Sequence, residues 1–528
     1  MRQSNFYLLI FSFILLNFTL SQRSLAYNTR NIRIGIIQHF GKNNNQTLSV
    51  KAKSGQKNLQ VIFPELPLTL SVDKNQVLIT NNLNIKTNYI SLDYRIEEKT
   101  KIIAGAYRTY ENAEYWAETL KERFPEYNWQ ILYPDPWIVQ AESDNPEETL
   151  RRLKSQNFSG SWFKDSFSQV KSLSWTGSAP IGIQAKNPQE IFQFNRRKII
   201  IRPLNNDLIE VNGKVYAGFM EILPDSFGNY SVINELPVEE YLRGVIPFEI
   251  GADSPQAALE TQAILARTYA LANFKRFVPE NYHLCASQHC QVYQGLSATN
   301  KIIDQAIQNT NGLILKNKYN QIAQVFYYST DGGYSADFTD IWPARNPRSI
   351  KDLSGQPTCS NLPKKFNLSN EEDLKLFLTS PEAAKEWNCY DSVSPSFRWQ
   401  KTIEKKLLTQ TLEKAKKRWQ FAWPDFEQVD DIEITERSST GHVLKLLVKT
   451  DKKNFIIEKD EVRSALGGLK SSLFIIEKTD NKIILKGGGF GHSVGLSQFG
   501  ARYLASTGVS YQNILKIYFP NYILGSAI

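Results

Sequence analysis

The chain switches between two hydrophobic rhythms, and the switches divide it. From Ile32 to about Leu92, apolar residues alternate with polar ones in short runs (IRIGIIQHF, VIFPEL, QVLIT) set apart by polar turns, the pattern of half-buried strands. Between Thr100 and about Lys154 both periods occur in one small unit: strand IIAGAY, amphipathic helix NAEYWAETLKERF, strands WQILY and WIVQAE, helix EETLRRL. A second β-rich stretch runs from Ile181 to Asn234, with KIIIRPL and GFMEILP as strands and Asn212-Gly213 as a hairpin turn.

The clearest helical period follows. Ser254 is placed to cap it, with Pro255 at its first position, and Leu259, Ala263, Ala266, Ala270 and Phe274 recur at helical spacing. Ala258, Leu265 and Leu271 make the other side small or apolar too, which predicts a buried helix with little solvated face. Gln262, Arg267 and Tyr269 lie inside that run and require partners there, because unpaired buried polar groups are costly. Helix-to-sheet hydrogen bonding and anchorage of the preceding loop are both open to Gln262 and Arg267.

Beyond it, AQVFYYSTDGGYSADF predicts a strand and a glycine turn, and residues 343–401 a loop-rich insertion with one charged helix. The strands DIEITER and VLKLLVK flank a Ser439-Thr440-Gly441 turn. From Ile483 the tail predicts a strand, a Gly-rich turn and two short helices separated at Gly508. The fold class expected is α+β and multidomain. Its parts are a signal peptide at 1–26, a β-rich module at 30–95, a small α/β module at 98–156, and a mixed domain at 178–525 with strands around the buried helix and an insertion at about 343–401.

Composition adds compartment and partner. The 528 residues carry a net charge of +9 without a dense Lys/Arg tract, which favours an anionic wall polymer or surface and argues against nucleic acid. Arg2, the apolar run Phe6 to Leu16 and the small residues of Ser24-Leu25-Ala26 form a secretory signal. The expected location is outside the cytoplasmic membrane, in the periplasm or cell wall, touching a membrane only if the signal stays uncleaved. Export makes a Cys359–Cys389 disulfide plausible. HLCASQHC places His283, Cys285, His289 and Cys290 at a spacing suited to tetrahedral Zn(II), with a local Cys285–Cys290 disulfide or a free structural pair as the other readings.

One carboxylate stands out. Glu249 is flanked by Val245, Ile246, Pro247, Phe248 and Ile250, so partial desolvation raises its pKa towards that of a general acid; a surface loop Glu is the bland alternative. GGGFGHSVGLSQFG sets His492 at a helix entrance, as a groove wall or as a tight turn. TDGGYSADFTDIW gathers Asp331, Asp337, Asp340, Tyr334 and Trp342, a mixture that suits either a carbohydrate groove or ordinary turn chemistry.

INELPVEEYLRGVIPFEI, QAALETQAILARTYAL, HCQVYQGL, STDGGYSADFTDIW, VRSALGGLKSSLF and GGGFGHSVGLSQFGARYLASTGVSYQNILKIYFP together resemble, in this order, the stage II sporulation protein D (SpoIID) family, also named for the amidase enhancer LytB. The strand and helix order of 98–156 loosely resembles the SPOR peptidoglycan-binding domain. The first resemblance implies a peptidoglycan lytic transglycosylase that cleaves MurNAc–GlcNAc bonds to leave 1,6-anhydroMurNAc ends, with Glu249 as its single acid/base. It also implies substrate contacts from Gln262, Arg267, Gln291, Tyr293, Tyr334, His492 and Gln498. No cofactor is required by that reaction, and zinc at HLCASQHC, which only some members carry, is an accessory expectation. Phe248, Ile250, Phe490 and Ser493 depart from the family pattern, where a small residue, Met, Trp and Gly are usual. The expected partners are glycan strands and a cell-wall amidase. The alternative reading is a non-catalytic wall-binding protein that stimulates an N-acetylmuramoyl-L-alanine amidase.

Overall fold

The protein is described here from a computed structural model. It describes residues 31–40, 47–53, 59–63, 68–72, 76–80, 100–107, 110–132, 137–156, 158, 161–164, 181–184, 191–194, 198–203, 208–225, 229–343, 352–363, 366–380, 386–419, 421 and 423–527. The signal peptide expected at 1–26 lies outside the described residues. Helices and strands are mixed throughout and form several small sheets, an α+β architecture.

The strands of 30–95 do not close into a module of their own. Asn31–Phe40 pairs antiparallel with Tyr230–Pro237 and, through Ile34 and Gly35, parallel with Leu284–Cys285. Thr47–Ala52 pairs with Ile209–Val211, and Gln76–Thr80 with Ile181–Gln184. The two β-rich stretches therefore interleave into a seven-stranded and a six-stranded sheet. Ile32 and Ile34 have no exposed surface, and a strand with such a face needs partners that residues 30–95 alone do not supply. The hairpin at Asn212-Gly213 is present, both residues having positive φ (47° and 83°).

Residues 100–164 form a four-stranded antiparallel sheet ordered Gln130–Leu132, Trp137–Ser143, Thr100–Tyr107, Ser161–Lys164. The helices Tyr110–Arg123 and Pro146–Ser155 pack on it. The first five elements follow the order read from the sequence. The last strand was not foreseen.

The long helix runs Gln256–Ala272, and every residue from Ala258 to Ala270 is buried. It starts without a side-chain cap, because Ser254 Oγ instead donates backwards to the Ile250 carbonyl at 2.7 Å. That bond ties the helix to the preceding π-helical turn, Pro247–Gly251. Helices Val238–Arg243, Lys301–Asn309, Gln498–Ser506 and Tyr511–Tyr518 surround it.

The insertion reaches well past residue 401. Arg398–Glu404, Lys482–Gly488 and Phe474–Lys478 make one three-stranded sheet, and Val429–Arg437, Val443–Thr450 and Phe455–Glu458 another. They enclose a separate core that includes Leu412, Ile432, Leu446, Val448, Ile457 and Leu485. The Cys359–Cys389 disulfide forms, within a third small core around Phe377 and Trp387. The strand expected at AQVFYY shrinks to Tyr327–Tyr328, parallel to Leu496–Ser497. Its neighbour, 489–495, has positive φ at Gly489, Gly491, Ser493 and Gly495 and cannot run as an extended partner.

Candidate active site

Glu249 rides on the π-turn between fully buried Val245 and Ile246 and nearly buried Ile250. Single π-turns widen a helix by one residue and recur at functional sites. Here the turn ends at Gly251, with φ 92°, and leaves Phe248 and Glu249 only partly covered. The Glu249 carboxylate accepts the Val292 backbone N–H on Oε1 at 2.6 Å and the Gln498 amide on Oε2 at a long 3.5 Å. Burial pushes its pKa up to about 7 against the pull of those two donors. Among the described residues no Asp or Glu is one of the groups that perturb it. The phenols of Tyr241, Tyr269 and Tyr327 are near enough to feel its charge, and burial raises all three, so they stay neutral hydroxyls around it.

Gln291 organises that phenol cluster. Its Oε1 accepts from the Tyr241 hydroxyl at 3.1 Å, and its Nε2 donates to the Tyr327 hydroxyl at 2.8 Å. Gln291 is fully buried, so it braces the site and does not reach substrate. Tyr293 is likewise buried, its hydroxyl donating to Asn234 Oδ1 at 2.6 Å. Arg267, 1% exposed, is bidentate to Glu239 at 2.7 Å on both arms and donates to the Leu313 carbonyl at 2.9 Å. It pins the long helix to helix Val238–Arg243, which leads into the π-turn, and so belongs to the frame. Gln262 is fully buried, and neither end of its amide has a hydrogen bond among the described residues. Substrate contact is thereby withdrawn for Gln262, Arg267, Gln291 and Tyr293, because all four are sealed from solvent.

Gln498 is the sequence-read residue that meets Glu249 directly. It opens helix Gln498–Ser506, whose cap is Ser497, accepting from Gly500 N–H at 3.2 Å. His492 is therefore not at a helix entrance. It is partly exposed, accepts from Val494 N–H at 3.1 Å, and packs its ring against Trp342, Tyr328 and Phe326. Tyr334 is partly exposed beside the Cys359–Cys389 core.

The zinc set does not assemble. Cys285 and Cys290 are bonded to each other, which removes the thiolates zinc would need. His283 accepts the Arg33 backbone N–H on Nδ1 at 3.0 Å and stacks on Phe274 with ring centres 3.6 Å apart. Among the described residues no group of three or more His, Cys, Asp or Glu is arranged to hold a metal, His289 included. The disulfide staples the segment whose Val292 amide holds Glu249.

The acidic TDGG turn is an internal tie. Asp331 and Asp391 have no exposed surface. Asp391 receives the Thr330 hydroxyl and the backbone N–H groups of Asp331 (2.8 Å) and Gly332 (3.0 Å). Asp331 receives Gly333 N–H at 2.7 Å, Thr358 Oγ1 at 2.8 Å and the Tyr328 hydroxyl at 3.0 Å. Asp337 accepts Gly355 N–H at 2.8 Å, and Asp340 the Thr440 hydroxyl at 3.3 Å, so both serve the turn and loop structure. Trp342 is buried.

Val292, Tyr241, Tyr327 and Asp391 were not read from the sequence, and Tyr269 only as a buried polar group in need of a partner. Val292 acts through its backbone, which carries no residue signature, and the tyrosines and Asp391 sit in patterns equally typical of a core or a loop.

Residues 226–317, which hold Glu249, the long helix and Val292, match the family described as Stage II sporulation protein. Over this stretch the chain is similar to the SpoIID family. Residues 336–495 match a domain of unknown function, DUF8618, and take in the insertion, its separate core and His492. The SpoIID relatives include the Amidase enhancer of Bacillus subtilis (strain 168), 27% identical over 54% of this chain and 40% of that protein. Stage II sporulation protein D of Bacillus amyloliquefaciens is 26% identical over 57% of this chain and 77% of its own length. An uncharacterized protein of Brachyspira hyodysenteriae is 25% identical over 65% of this chain and 88% of its own. The chain thus spans less than half the length of the amidase enhancer. Among the described residues no helix is long and apolar enough to cross a membrane.

Proposed function

We propose that the protein acts on peptidoglycan in the cell envelope as a lytic transglycosylase, with Glu249 as its single acid/base. The observation that carries the reading is the state of Glu249: a partly accessible carboxyl whose pKa is lifted to about 7 by desolvation and steadied by two neutral donors. Near neutral pH such a group is present in both forms, which a residue that first gives and then takes a proton needs.

Protonated Glu249 donates to the glycosidic oxygen as the bond from C1 breaks. The resulting carboxylate takes the proton from the muramic C6 hydroxyl, whose oxygen closes on C1. The product is a 1,6-anhydro end, no water is consumed, and Glu249 returns to its starting form. Hydrolysis by either usual route asks for a second carboxylate, and among the described residues no carboxylate is one of the groups that act on Glu249. Gln498 steadies the carboxylate without adding charge. His492 and Tyr334 are both partly exposed, which keeps them as groove-lining residues in this reading. A secretory signal at 1–26 and placement in the periplasm or wall belong to the same proposal.

Purified full-length protein incubated with glycan strands should release anhydromuramic ends, and Glu249→Gln should release none. Absence of such ends from the wild type defeats this reading. The similarity to a protein named Amidase enhancer favours a second one, a wall-binding protein that stimulates an amidase. Sacculus binding and amidase stimulation that survive Glu249→Gln, with no glycan release by either form, select it.

A further inference from the structure

The small α/β module does not hang free. Arg276, just past the long helix, is 5% exposed and joins three parts of the molecule. Its Nη2 donates to Glu111 Oε1 on the module at 2.5 Å. Its Nη1 donates to the Tyr269 hydroxyl at 2.5 Å and to the His289 carbonyl at 3.0 Å. The Tyr110 ring lies 4.1 Å below the guanidinium carbon. Beside this contact Trp137 of the module packs on Phe277, with ring centres 4.8 Å apart.

Each contact leads towards Glu249. His289 precedes Cys290, which is bonded to Cys285, and two residues later Val292 N–H holds the Glu249 carboxylate. Tyr293 N–H returns to the Ala286 carbonyl at 3.1 Å and Gln294 N–H to Gly244 at 3.2 Å, so the segment is a short braced loop. Tyr269 faces the Tyr327 ring at 6.5 Å, within the phenol cluster around Glu249. The groups facing the guanidinium are Glu111, Glu114, Tyr110 and Tyr269. A buried guanidinium with a single carboxylate at bonding distance holds its geometry only while that partner is present.

We infer that Arg276 is a positioning residue for Glu249, and that the α/β module, by supplying Glu111 and Tyr110, forms part of the frame of the active site. This deepens the transglycosylase reading and rests on it for its activity arm. Loss of the Glu111 contact frees the guanidinium to leave the His289 carbonyl, the 285–293 loop slackens, and the Val292 amide no longer fixes the carboxyl. Lysine in place of Arg276 reaches one partner at a time and cannot hold Glu111, Tyr269 and His289 together.

The test compares full-length wild type, Glu111→Gln, Arg276→Lys and, as a module-surface control, Arg151→Ala, whose side chain pairs with Glu148 on an exposed helix face. The expected result is a three- to tenfold fall in kcat for Glu111→Gln and Arg276→Lys with KM little changed. Amide exchange in peptides covering 285–293 should quicken about tenfold in the same two variants, and Arg151→Ala should match the wild type in both. Wild-type kcat together with wild-type exchange in Glu111→Gln and Arg276→Lys overturns the inference. If the wild type itself releases no anhydro ends, the reading of the site fails, while the exchange measurement still decides whether the module braces the loop.

Discussion

Glu249 keeps part of its surface exposed and is met by one backbone amide and one carboxamide. Asp331 has no exposed surface and is met by a backbone amide and two hydroxyls, with Asp391 held beside it by three donors of its own. Burial raises both the Glu249 and the Asp331 pKa, the latter further by the neighbouring Asp391 charge. Arg398, partly buried, lies close enough to feel both aspartates. Desolvation alone therefore does not mark an acid/base. What separates the two regions is an open side on which a ligand can meet the proton, and a donor set light enough to let the proton leave.

The sharpest way to break that contrast is Glu249→Gln, which should cut anhydro-end formation by about 10²–10⁴-fold while leaving the fold intact. An equal loss on altering the Asp331–Asp391 tie, at matched amounts of folded protein, would erase the distinction. Asp391→Ala is expected to act on stability instead. Removing one partner from a buried charged network costs about 3–5 kcal/mol, read as a lower urea midpoint, because the Thr330 hydroxyl and the Asp331 and Gly332 amides lose their acceptor and Arg398 loses a neighbouring carboxylate.

The pH dependence follows from the same raised pKa. A carboxyl at about 7 when folded and near the ordinary carboxylate range when unfolded releases its proton sooner in the unfolded chain. Its contribution to stability is therefore fully present below the unfolded value and is lost as pH rises towards 7, at no more than about 1.4 kcal/mol per pH unit. Urea titrations should show the gap between Glu249→Gln and wild type moving in the variant's favour from pH 5 to pH 8. Activity should decline above about pH 7, where the acid form is spent.

The disulfide comes next. Cys285→Ser with Cys290→Ser should lower stability by about 2 kcal/mol for so short a loop and reduce activity, since Val292 lies two residues beyond Cys290. The smallest effect is expected at Ser493. Its φ of 62° lies in the left-handed region, and its buried hydroxyl has no hydrogen-bond partner among the described residues. Ser493→Gly should raise stability by about 1 kcal/mol, measured as an increase in the urea midpoint.

Much of this architecture was legible in the pattern of residues. The long buried helix, the strands of the small α/β module and the apolar setting of Glu249 all depend on local period and composition, which the chain states outright. The errors came where distant segments decide. Asn31–Phe40 reads as a strand of a local module, yet its partners lie at 230–237 and 284–285. The family resemblance implies substrate contact from Arg267 and Gln291, but Glu239 and the Tyr241 and Tyr327 hydroxyls already hold them, and for Arg267 the anchoring role read from its buried setting is the one its bonds fit. HLCASQHC suits zinc by spacing, and in the structure its two sulfurs pair with each other.

The place of Asn31–Phe40 between Tyr230–Pro237 and Leu284–Cys285 also sets a schedule for biogenesis. About 190 residues separate Phe40 from its partner Tyr230, roughly 10–40 s of synthesis at ordinary elongation rates. Throughout that interval an apolar strand waits without its neighbours, a ready template for wrong pairing. The sheet beside Glu249 can be completed only after residue 285 has emerged, so keeping the first strand clear of wrong partners until then is as much a condition for a working Glu249 as any side chain that touches it.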